Sequence, residues 1–386
     1  MTASRGGNFV TLKQGNKRVI MQALLHDSTA TKRELANRTQ LTFATISNLL
    51  TELLEEGMVR KLGFAISNGG RKPLQYGINP AAYGFFGIEI RMQEIVYAFM
   101  NFKGDVVCSL KQPFAAIQGP HEAARRIGET VHTLADEQGV QTERIGGIGI
   151  SVPGLIDYDT GVVANSPNMP KWRNVPFRDM LFDLFQVPCY LEKSAYTAAF
   201  SELRFGAAKG IRQMIYVLVD AGIGAGIVVN GELYRGAFNG AGEIGHTVAM
   251  ENGRVCNCGK TGCLETVASG LALRHELKQI GRGVEFDHLE DLISQNDSQV
   301  MAIIAEAGKH LGTAVGNLCN TLNPDMIVIG GAVGNISAYF ESAREAARRS
   351  MLGEFSNRVR IEKSQLKELS GVIGAASIAF DRFTYV

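Results

Sequence analysis

The sequence HTVAMENGRVCNCGKTGCLE, residues 246–265, places one histidine and three cysteines close together. His246, Cys256, Cys258 and Cys263 are separated by nine, one and four residues. One imidazole and three thiolates in so short a loop can surround a tetrahedral Zn²⁺, and cytoplasmic chains seldom cluster cysteines without a metal. Four protein ligands leave no open position, so we expect one structural zinc per chain. The alternative is three free thiols and a surface histidine in a glycine-containing loop.

Strands and a helix are predicted on both sides of this loop. Upstream, Ile215–Val219 and Gly226–Val229 are apolar and flank the glycine-rich run 220–225. Downstream, a helical pattern near Ala305–Leu322 precedes a buried strand at Met326–Ile329. Apolar runs that alternate with a helix predict an α/β unit.

A second unit of this kind is predicted earlier in the chain. Its strands are Gly84–Ala98, Val106–Leu110 and Ile145–Val152, with a turn at Asn101–Asp105 and a helix at Glu122–Glu137. Two α/β units in one chain predict two lobes with a cleft between them.

The first sixty residues predict three helices. Lys13–Leu25 has apolar residues at helical spacing, Thr31 and Glu34 form a capping-box pattern for a second helix, and Thr42 begins a third. The third helix has an apolar stripe that we expect to be buried: Phe43, Ile46, Leu49, Leu50, Leu53 and Leu54. Its opposite side carries short side chains able to reach base edges or phosphates in a major groove: Thr42, Ala44, Thr45, Ser47 and Asn48.

Two short strands, Met58–Leu62 and Leu74–Ile78, follow these helices. The loop between them is rich in glycine and contains Arg71 and Lys72, which suit a phosphate track or a minor groove. Helices in this order with such a hairpin predict a winged helix-turn-helix over residues 1–80 that binds double-stranded operator DNA. The alternative is a small helical domain with a solvated polar face and a charged turn.

Length and charge fit this division of the chain. The 386 residues are enough for two or three domains. Residues 1–80 carry 11 Lys and Arg against 5 Asp and Glu, a balance of +6, whereas the remainder carries 28 against 33, a balance of −5. A basic module on a mildly acidic body is expected when one domain contacts a polyanion. No apolar run approaches the ~20 residues of a membrane span and no export signal is visible, so we expect a soluble cytoplasmic protein.

Five stretches resemble the ROK family of bacterial repressors and sugar kinases. They are GISVPGLID (149–157), ANSPNMPKW (164–172), GIGAGIVVNGELYRGAFNGAGEIGH (222–246), CNCGKTGCLE (256–265) and IVIGG (327–331). With a helix-turn-helix in front, the chain resembles the regulator branch, since the kinase members lack that domain. The resemblance implies a two-lobed, actin-like and sugar-kinase-like α/β body. Its first lobe would be residues 81–200, completed by a C-terminal helix at 371–386, and its second lobe, with the zinc loop, residues 201–370.

The resemblance also implies a carbohydrate or sugar-phosphate effector in the cleft of a homodimer or homotetramer. Asn168, Glu243, His246 and Glu265 match positions that contact the sugar in the family. A metal-bound histidine can turn its second ring nitrogen toward a ligand hydroxyl. The alternative for Glu243 and Glu265 is a pair of carboxylates that support the metal ligands or cap a helix.

Three motifs depart from those of the kinases. The phosphate-binding motif Asp-x-Gly-Gly-Thr is here Glu89-Ile90-Arg91-Met92-Gln93, so side chains replace the glycines that let backbone approach a phosphate. Ala221 stands where the kinases have threonine, and Ser194 stands where they have the aspartate that acts as general base. Because a serine hydroxyl cannot act as that base near neutral pH, we expect a protein that is not an enzyme.

Lys193 stands in place of an asparagine of the kinase members of the family. Together with Ser194 it makes the cleft more positive, which suggests an anionic effector that pairs with Lys193. An internal salt bridge from Lys193 to Glu243 or Glu265 is equally open. The favoured function is a sugar-responsive repressor of genes for carbohydrate uptake or catabolism; a residual sugar kinase and an effector-independent DNA-binding protein are the alternatives.

Overall fold

The computed structural model describes residues 5–65, 72–283, 292–293 and 297–385, with side chains from residue 12 onward. The helices are α1 Arg5–Asp27, α2 Lys32–Thr39, α3 Phe43–Glu55, α4 Pro120–Glu137, α5 Phe177–Phe185, α6 Ser194–Phe205, α7 Glu265–Ala268, α8 Gly270–Gln279, α9 Ser298–Leu322, α10 Ser337–Ser350, α11 Gly353–Ser356 and α12 Ser370–Thr384. The strands are β1 Ala30–Thr31, β2 Val59–Phe64, β3 Leu74–Ile78, β4 Gly84–Ile90, β5 Glu94–Asn101, β6 Val106–Pro113, β7 Ile145–Val152, β8 Leu155–Asp157, β9 Val162–Asn165, β10 Arg173–Val175, β11 Cys189–Lys193, β12 Met214–Val219, β13 Ile223–Val229, β14 Glu232–Leu233, β15 Met326–Gly330 and β16 Arg360–Lys363.

Local capping fixes the starts of α2 and α3. The Thr31 hydroxyl accepts a hydrogen bond from Glu34 N at 3.3 Å, and the Glu34 carboxylate accepts one from Thr31 N at 2.7 Å, which completes the predicted capping box. Thr42 caps α3 by accepting from Thr45 N at 3.2 Å. The three helices pack with a sheet of order β1-β3-β2, and β2 and β3 form the predicted hairpin. The first helix begins earlier and ends later than predicted.

The predicted apolar stripe of α3 is wrong at Phe43. Ile46, Leu49, Leu50 and Leu53 are buried, as expected, but the Phe43 side chain is 59% exposed. Phe43 is the first residue of its helix. Periodicity alone extends the stripe one turn too far.

The first lobe contains a five-stranded sheet of order β11-β7-β4-β5-β6. Strands β4, β7 and β11 are parallel, whereas β4, β5 and β6 form an antiparallel meander. The single strand predicted over Gly84–Ala98 is therefore wrong, because the chain reverses between Ile90 and Glu94. Both strands of this hairpin are buried on both faces, so both read as apolar, and the turn Arg91-Met92-Gln93 between them contains neither glycine nor proline.

The second lobe contains a five-stranded sheet of order β14-β13-β12-β15-β16. The long helices α9 and α10 cover one of its faces and pack closely together. Glycines on α9 make this approach possible: a Cβ at Gly308 or Gly312 would collide with the backbone of α10. The predicted strands and helix are present here, and α9 starts seven residues earlier than predicted, at Ser298.

Helices α6 and α12 lie between the two sheets. Helix α12 packs on β4 and β7 of the first lobe, α6 packs on β12 and β13 of the second, and the two helices pack on each other. Gly374 lies where they cross, and a Cβ there would collide with the backbone at Thr197. The two sheets with these helices form the predicted pair of lobes with a cleft.

The N-terminal helices also pack against the body. Their core is continuous with Phe85, Phe102 and Phe380 of the first lobe. Arg144, just before β7, donates to the backbone oxygen of Glu56 at 3.3 Å. No helix in the described part of the chain is long and apolar enough to cross a membrane.

Candidate functional site

A cavity of about 440 Å³ opens between the two lobes. The parallel strands β4, β7 and β11 point their carboxyl ends toward it, as expected for a ligand crevice in an α/β sheet. We divide it into two parts. The metal half is lined by Asn168, Lys193, Glu243, His246 and Glu265, and the phosphate half by residues 89–94, Lys111, Pro113, Asp220 and Ala332.

The four predicted metal ligands lie together beside the metal half. Their ligand atoms are all within 4.8 Å of one another. Cys256 Sγ is 3.7 Å from His246 Nδ1, and Cys258 Sγ is 3.7 Å from Cys263 Sγ. In a tetrahedron with metal–sulfur bonds of about 2.3 Å, neighbouring ligands are about 3.8 Å apart. The donor atoms therefore fit a tetrahedral metal ion held through Nδ1 of the histidine and three thiolates.

The other three cysteines lie away from this cluster. Cys189 and Cys319 are buried, and Cys108 is partly buried on β6. Burial raises the pKa of Cys189 and of Cys319 to about 12. Their thiols stay protonated near neutral pH, as expected for packing residues.

Glu265 and Asn168 form a polar wall of the metal half. Glu265 begins α7, directly after the cysteine loop, and its carboxylate accepts from Ile223 N at 3.1 Å. Its other oxygen accepts from Asn168 Nδ2 at 3.4 Å. Asn168 Oδ1 accepts in turn from Asn257 Nδ2 at 2.8 Å. The metal loop thus holds in place the amide and the carboxylate that face the cavity.

Lys193 is almost completely buried and its charge is compensated within the protein. Its ammonium donates to the Glu243 carboxylate and to Ala241 O, the latter at 3.2 Å. It also lies 4.9 Å from the centroid of the Tyr196 ring. Of the two roles open for Lys193 from the sequence, the structure contains the salt bridge to Glu243.

Ser194 and Ala221 both line the cavity. Ser194 is the first residue of α6 and its side chain is buried. Ala221 follows Asp220 in the turn between β12 and β13. No carboxylate stands at position 194 to accept a proton, and no hydroxyl at position 221 to bind a phosphate.

Arg91 fills the turn between β4 and β5 with an ion-pair network that sequence analysis missed. Its guanidinium donates to Glu89 at 2.8 Å and to Glu94 at 2.6 Å, and also to the backbone oxygen of Glu368. Its buried Nε has no hydrogen-bond partner among the described residues. The acidic residues two before and three after Arg91 were the signal in the sequence.

Burial and charge shift the pKa values in this network. Burial raises the pKa of the Glu89 carboxyl, and the Arg91 guanidinium opposes that rise. Burial lowers the pKa of Arg91, but the carboxylates of Glu89 and Asp220 outweigh it, so the pKa of Arg91 lies above its usual range. Arg91 therefore keeps its charge and neutralises a turn that is otherwise acidic.

A second network joins the lobes beneath the metal half. Glu192 accepts from the Tyr158 hydroxyl and from the Arg235 guanidinium, which lies 5.1 Å from the Tyr158 ring centroid. Burial and then the charge of Glu192 raise the pKa of Tyr158. The loop after β14 is thereby fixed to the first lobe. Glu192 precedes Lys193 in the sequence, but its partners lie more than thirty residues away and could not be foreseen.

The candidate DNA-contacting residues lie around the N-terminal end of α3. Thr42, Ala44 and Asn48 are exposed, whereas Thr45 and Ser47 are partly buried. The hydroxyls of Thr42 and Thr45 bond to each other at 2.8 Å, and Ser47 accepts from Lys32 Nζ at 3.2 Å. Lys72 is exposed, and Arg71 lies outside the described residues.

The two-lobed α/β fold with a cleft between the lobes is that of sugar-kinase-like proteins, and comparison with known sequences agrees. The chain belongs to the ROK family, whose family model matches residues 85–382. Its two-lobed α/β body is the sugar-kinase-like fold of that family.

Relatives divide into those that match the whole chain and those that match only the body. The xylose repressor of Caldicellulosiruptor bescii is 32% identical, and the match covers 96% of this chain and 97% of the repressor. The glucokinase of Thermotoga maritima is 30% identical, with 77% of this chain and 97% of the glucokinase covered. The crystal structure of a ROK family transcriptional regulator, described as a homologue of E. coli Mlc, superposes with a TM-score of 0.79 at 21% identity over 97% of both chains.

Proposed function

We propose that this protein is a carbohydrate-responsive transcriptional regulator, a repressor that acts on genes for carbohydrate uptake or catabolism. One observation carries the proposal: an N-terminal helical segment, with the exposed polar start of α3, is packed on a sugar-kinase-like body whose phosphate turn is filled by Arg91. The relatives that match the N-terminal segment support it, because they are named repressors.

Residues 1–80 form a winged helix-turn-helix in this proposal. Helix α3 is the recognition helix, and Ala44 and Asn48 face the major groove. Thr42 caps α3, so its hydroxyl contributes to stability rather than to base recognition. Lys72 and Arg71 contact phosphates or the minor groove from the hairpin loop. The basic balance of this segment supports a polyanionic partner.

The metal is zinc and its role is structural. His246, Cys256, Cys258 and Cys263 would hold it, and soft thiolates with an imidazole are the donor set that zinc prefers. When bound, zinc supplies a rigid crosslink of the loop that carries Glu265. His246 uses Nδ1 toward the cluster, so its Nε2 is available to a ligand hydroxyl.

The effector binds in the metal half and is an uncharged carbohydrate. Asn168, Glu243, His246 and Glu265 offer acceptors and donors to sugar hydroxyls. Lys193 is already paired with Glu243, so it does not provide the free cation that an anionic effector requires. This favours a neutral sugar over the sugar phosphate or sugar acid that the sequence left open.

The protein does not transfer phosphate in this proposal. Ser194 cannot act as a general base, which costs roughly 10² to 10⁴ in rate. Arg91, Ala221 and the side chains around them replace the phosphate-binding backbone and hydroxyl. Lobe closure around the effector instead repositions paired N-terminal domains in a homodimer or homotetramer in the cytoplasm.

The test is operator binding by the full-length protein in a gel-shift or anisotropy assay with its own promoter fragment. We expect binding that falls with salt and that a neutral sugar weakens. Asn48→Ala lowers affinity for the operator but not for unrelated DNA, whereas Lys72→Ala lowers both and reduces the salt slope by about one. Binding that ignores every sugar favours the effector-independent alternative, and ATP-dependent sugar phosphorylation without DNA binding favours the kinase.

A further inference from the structure

The cavity extends beyond the metal half, since residues 89–94, Lys111, Pro113, Asp220 and Ala332 also line it. Its volume of about 440 Å³ lies within the roughly 300–1,000 Å³ of pockets that bury a drug-sized ligand. A disaccharide has about as many non-hydrogen atoms as such a ligand, and a monosaccharide has half as many. The residues proposed to contact the sugar belong to the metal half, and none of them lies among the residues that define the phosphate half.

The phosphate half has lost its phosphate-binding features but keeps surfaces that suit a second sugar ring. Met92 and Pro113 present apolar side chains that can pack on the C–H face of a pyranose. Glu94 and Asp220 present carboxylates to its hydroxyls. Ala332 lies at the edge of this half, where its backbone N donates to Asp220 at 2.6 Å.

Charge in the cavity selects against anions. Among the described lining residues, five carboxylates (Glu89, Glu94, Asp220, Glu243 and Glu265) stand against three cations (Arg91, Lys111 and Lys193). Each of these cations is already bonded to a carboxylate. A phosphate or a sugar acid would meet uncompensated negative charge in a partly desolvated site.

We propose that the effector is an uncharged disaccharide, with one ring in the metal half and the second ring in the phosphate half. This inference rests on the proposed function, since it names the ligand of the same cleft. It assigns the phosphate half a new role. Because the second ring binds there, the protein would bind a disaccharide more tightly than its component sugars.

Calorimetry with the full-length, metal-loaded protein tests the inference. The probes are xylose, glucose and galactose, the disaccharides xylobiose, cellobiose, maltose and lactose, glucose 6-phosphate, and a non-hydrolysable ATP analogue. We expect at least one disaccharide to bind at least tenfold more tightly than its component monosaccharides, and the two anions not to bind. A monosaccharide that binds as tightly as every disaccharide, or binding of the ATP analogue, would overturn the inference.

Ala332→Phe supplies a steric test of the second ring. The phenyl group would fill the phosphate half. The backbone N–H of residue 332, which donates a hydrogen bond to Asp220, would remain. We expect the disaccharide affinity to fall at least tenfold and the affinity for its component monosaccharide to stay within twofold. Ala115→Phe, at an exposed position outside the cavity, is the matched control and should change neither. An equal loss for both sugars in Ala332→Phe contradicts the two-ring arrangement.

The outcomes separate this inference from the proposed function. If monosaccharides weaken operator binding and disaccharides bind no more tightly than monosaccharides, the proposed regulatory function holds and the proposed disaccharide effector is wrong. If the protein fails to bind its own promoter fragment, the proposed function itself is wrong. If it binds the promoter but no neutral sugar of either size, both the sugar effector and this inference are wrong.

Discussion

The two halves of the cleft line one cavity but differ in their polar groups. In the metal half these groups face the cavity, whereas in the phosphate half most charged groups are paired within the protein. In the metal half, Glu265 and Asn168 are linked by a hydrogen bond of 3.4 Å and still face the cavity. In the phosphate half, Arg91 is held by Glu89, Glu94 and a backbone carbonyl. The first half keeps groups available for a ligand, and the second satisfies most of its charges internally.

This difference separates recognition from catalysis. In the proposed function a sugar needs oriented hydrogen-bonding groups, and the metal-loaded loop would supply them by fixing Glu265 and His246. Phosphoryl transfer needs open backbone and a general base, which Arg91 and Ser194 have replaced.

The largest effect on effector binding is expected from loss of the metal through Cys258→Ser. Without its fourth ligand the loop should lose zinc, and effector affinity should fall by about 100-fold because Glu265 and His246 lose their support. Zinc content by atomic emission and sugar affinity by calorimetry measure this. Operator binding without effector should persist, since the metal lies in the second lobe.

Cys108→Ser is the matched control for the metal half, because Cys108 is a partly buried thiol of the first lobe. It should retain one zinc per chain and full affinity. A Cys258→Ser protein with unchanged zinc content would refute the four-ligand site.

The largest effect on stability is expected from Arg91→Met in the phosphate half. Glu89 would remain buried without its cationic partner, which costs about 3 to 5 kcal/mol in the free energy of unfolding. Urea titrations measure the loss. Lys111→Met, which removes the exposed ion pair with Glu368, should cost at most about 1 kcal/mol.

The cost of Arg91→Met should depend on pH with a definite sign. Burial already raises the pKa of Glu89, and loss of Arg91 raises it further. A carboxyl whose pKa is higher in the folded state stabilises the fold below its unfolded pKa, and that contribution is lost as pH rises through the folded pKa. The difference from wild type should therefore shrink as the pH falls from 8 toward 5. A difference that grows toward low pH would mean that Glu89 is not the uncompensated group.

The sequence predicted local structure better than pairings between distant residues. Thr31, Glu34 and Thr42 are capping signals complete within four residues, so α2 and α3 begin where predicted. The β4–β5 reversal was missed because the turn lacks glycine and proline and both strands are apolar on both faces. Apolar periodicity within the two strands carries no information about the turn that joins them.

The same limit applies within the candidate site. The spacing of the cysteines predicted a cluster because most of its ligands lie in one loop. Glu243 and Glu265 were equally plausible partners for Lys193, at separations of 50 and 72 residues, and only the packing of the lobes distinguishes them. Arg91 was recognised as a lost glycine, but its bond to the backbone at Glu368 depends on the position of α12.

A smaller effect is expected from Glu243→Gln. Lys193 would lose its charged partner, but Glu243 is one-third exposed, so water can replace part of the interaction. We expect a loss of about 2 to 3 kcal/mol in unfolding free energy, most of it recovered in the double variant with Lys193→Met. Glu243→Gln alone should also improve the binding of sugar acids relative to neutral sugars. Additive effects of the two substitutions would show that the pair is not coupled.

The smallest effect is expected from Ser194→Asp, which restores the general base of the kinases to this chain. A correctly placed base supplies roughly 10² to 10⁴ in rate, but only when phosphate is already positioned. Arg91 still fills the phosphate turn and Ala221 still lacks a hydroxyl, so we expect no ATP turnover with glucose or xylose in a coupled assay. The control is the thermal stability of the variant, which should stay within a few degrees of wild type. Measurable turnover would show that the phosphate half still positions nucleotide, and that Ser194 alone separates this chain from the kinases.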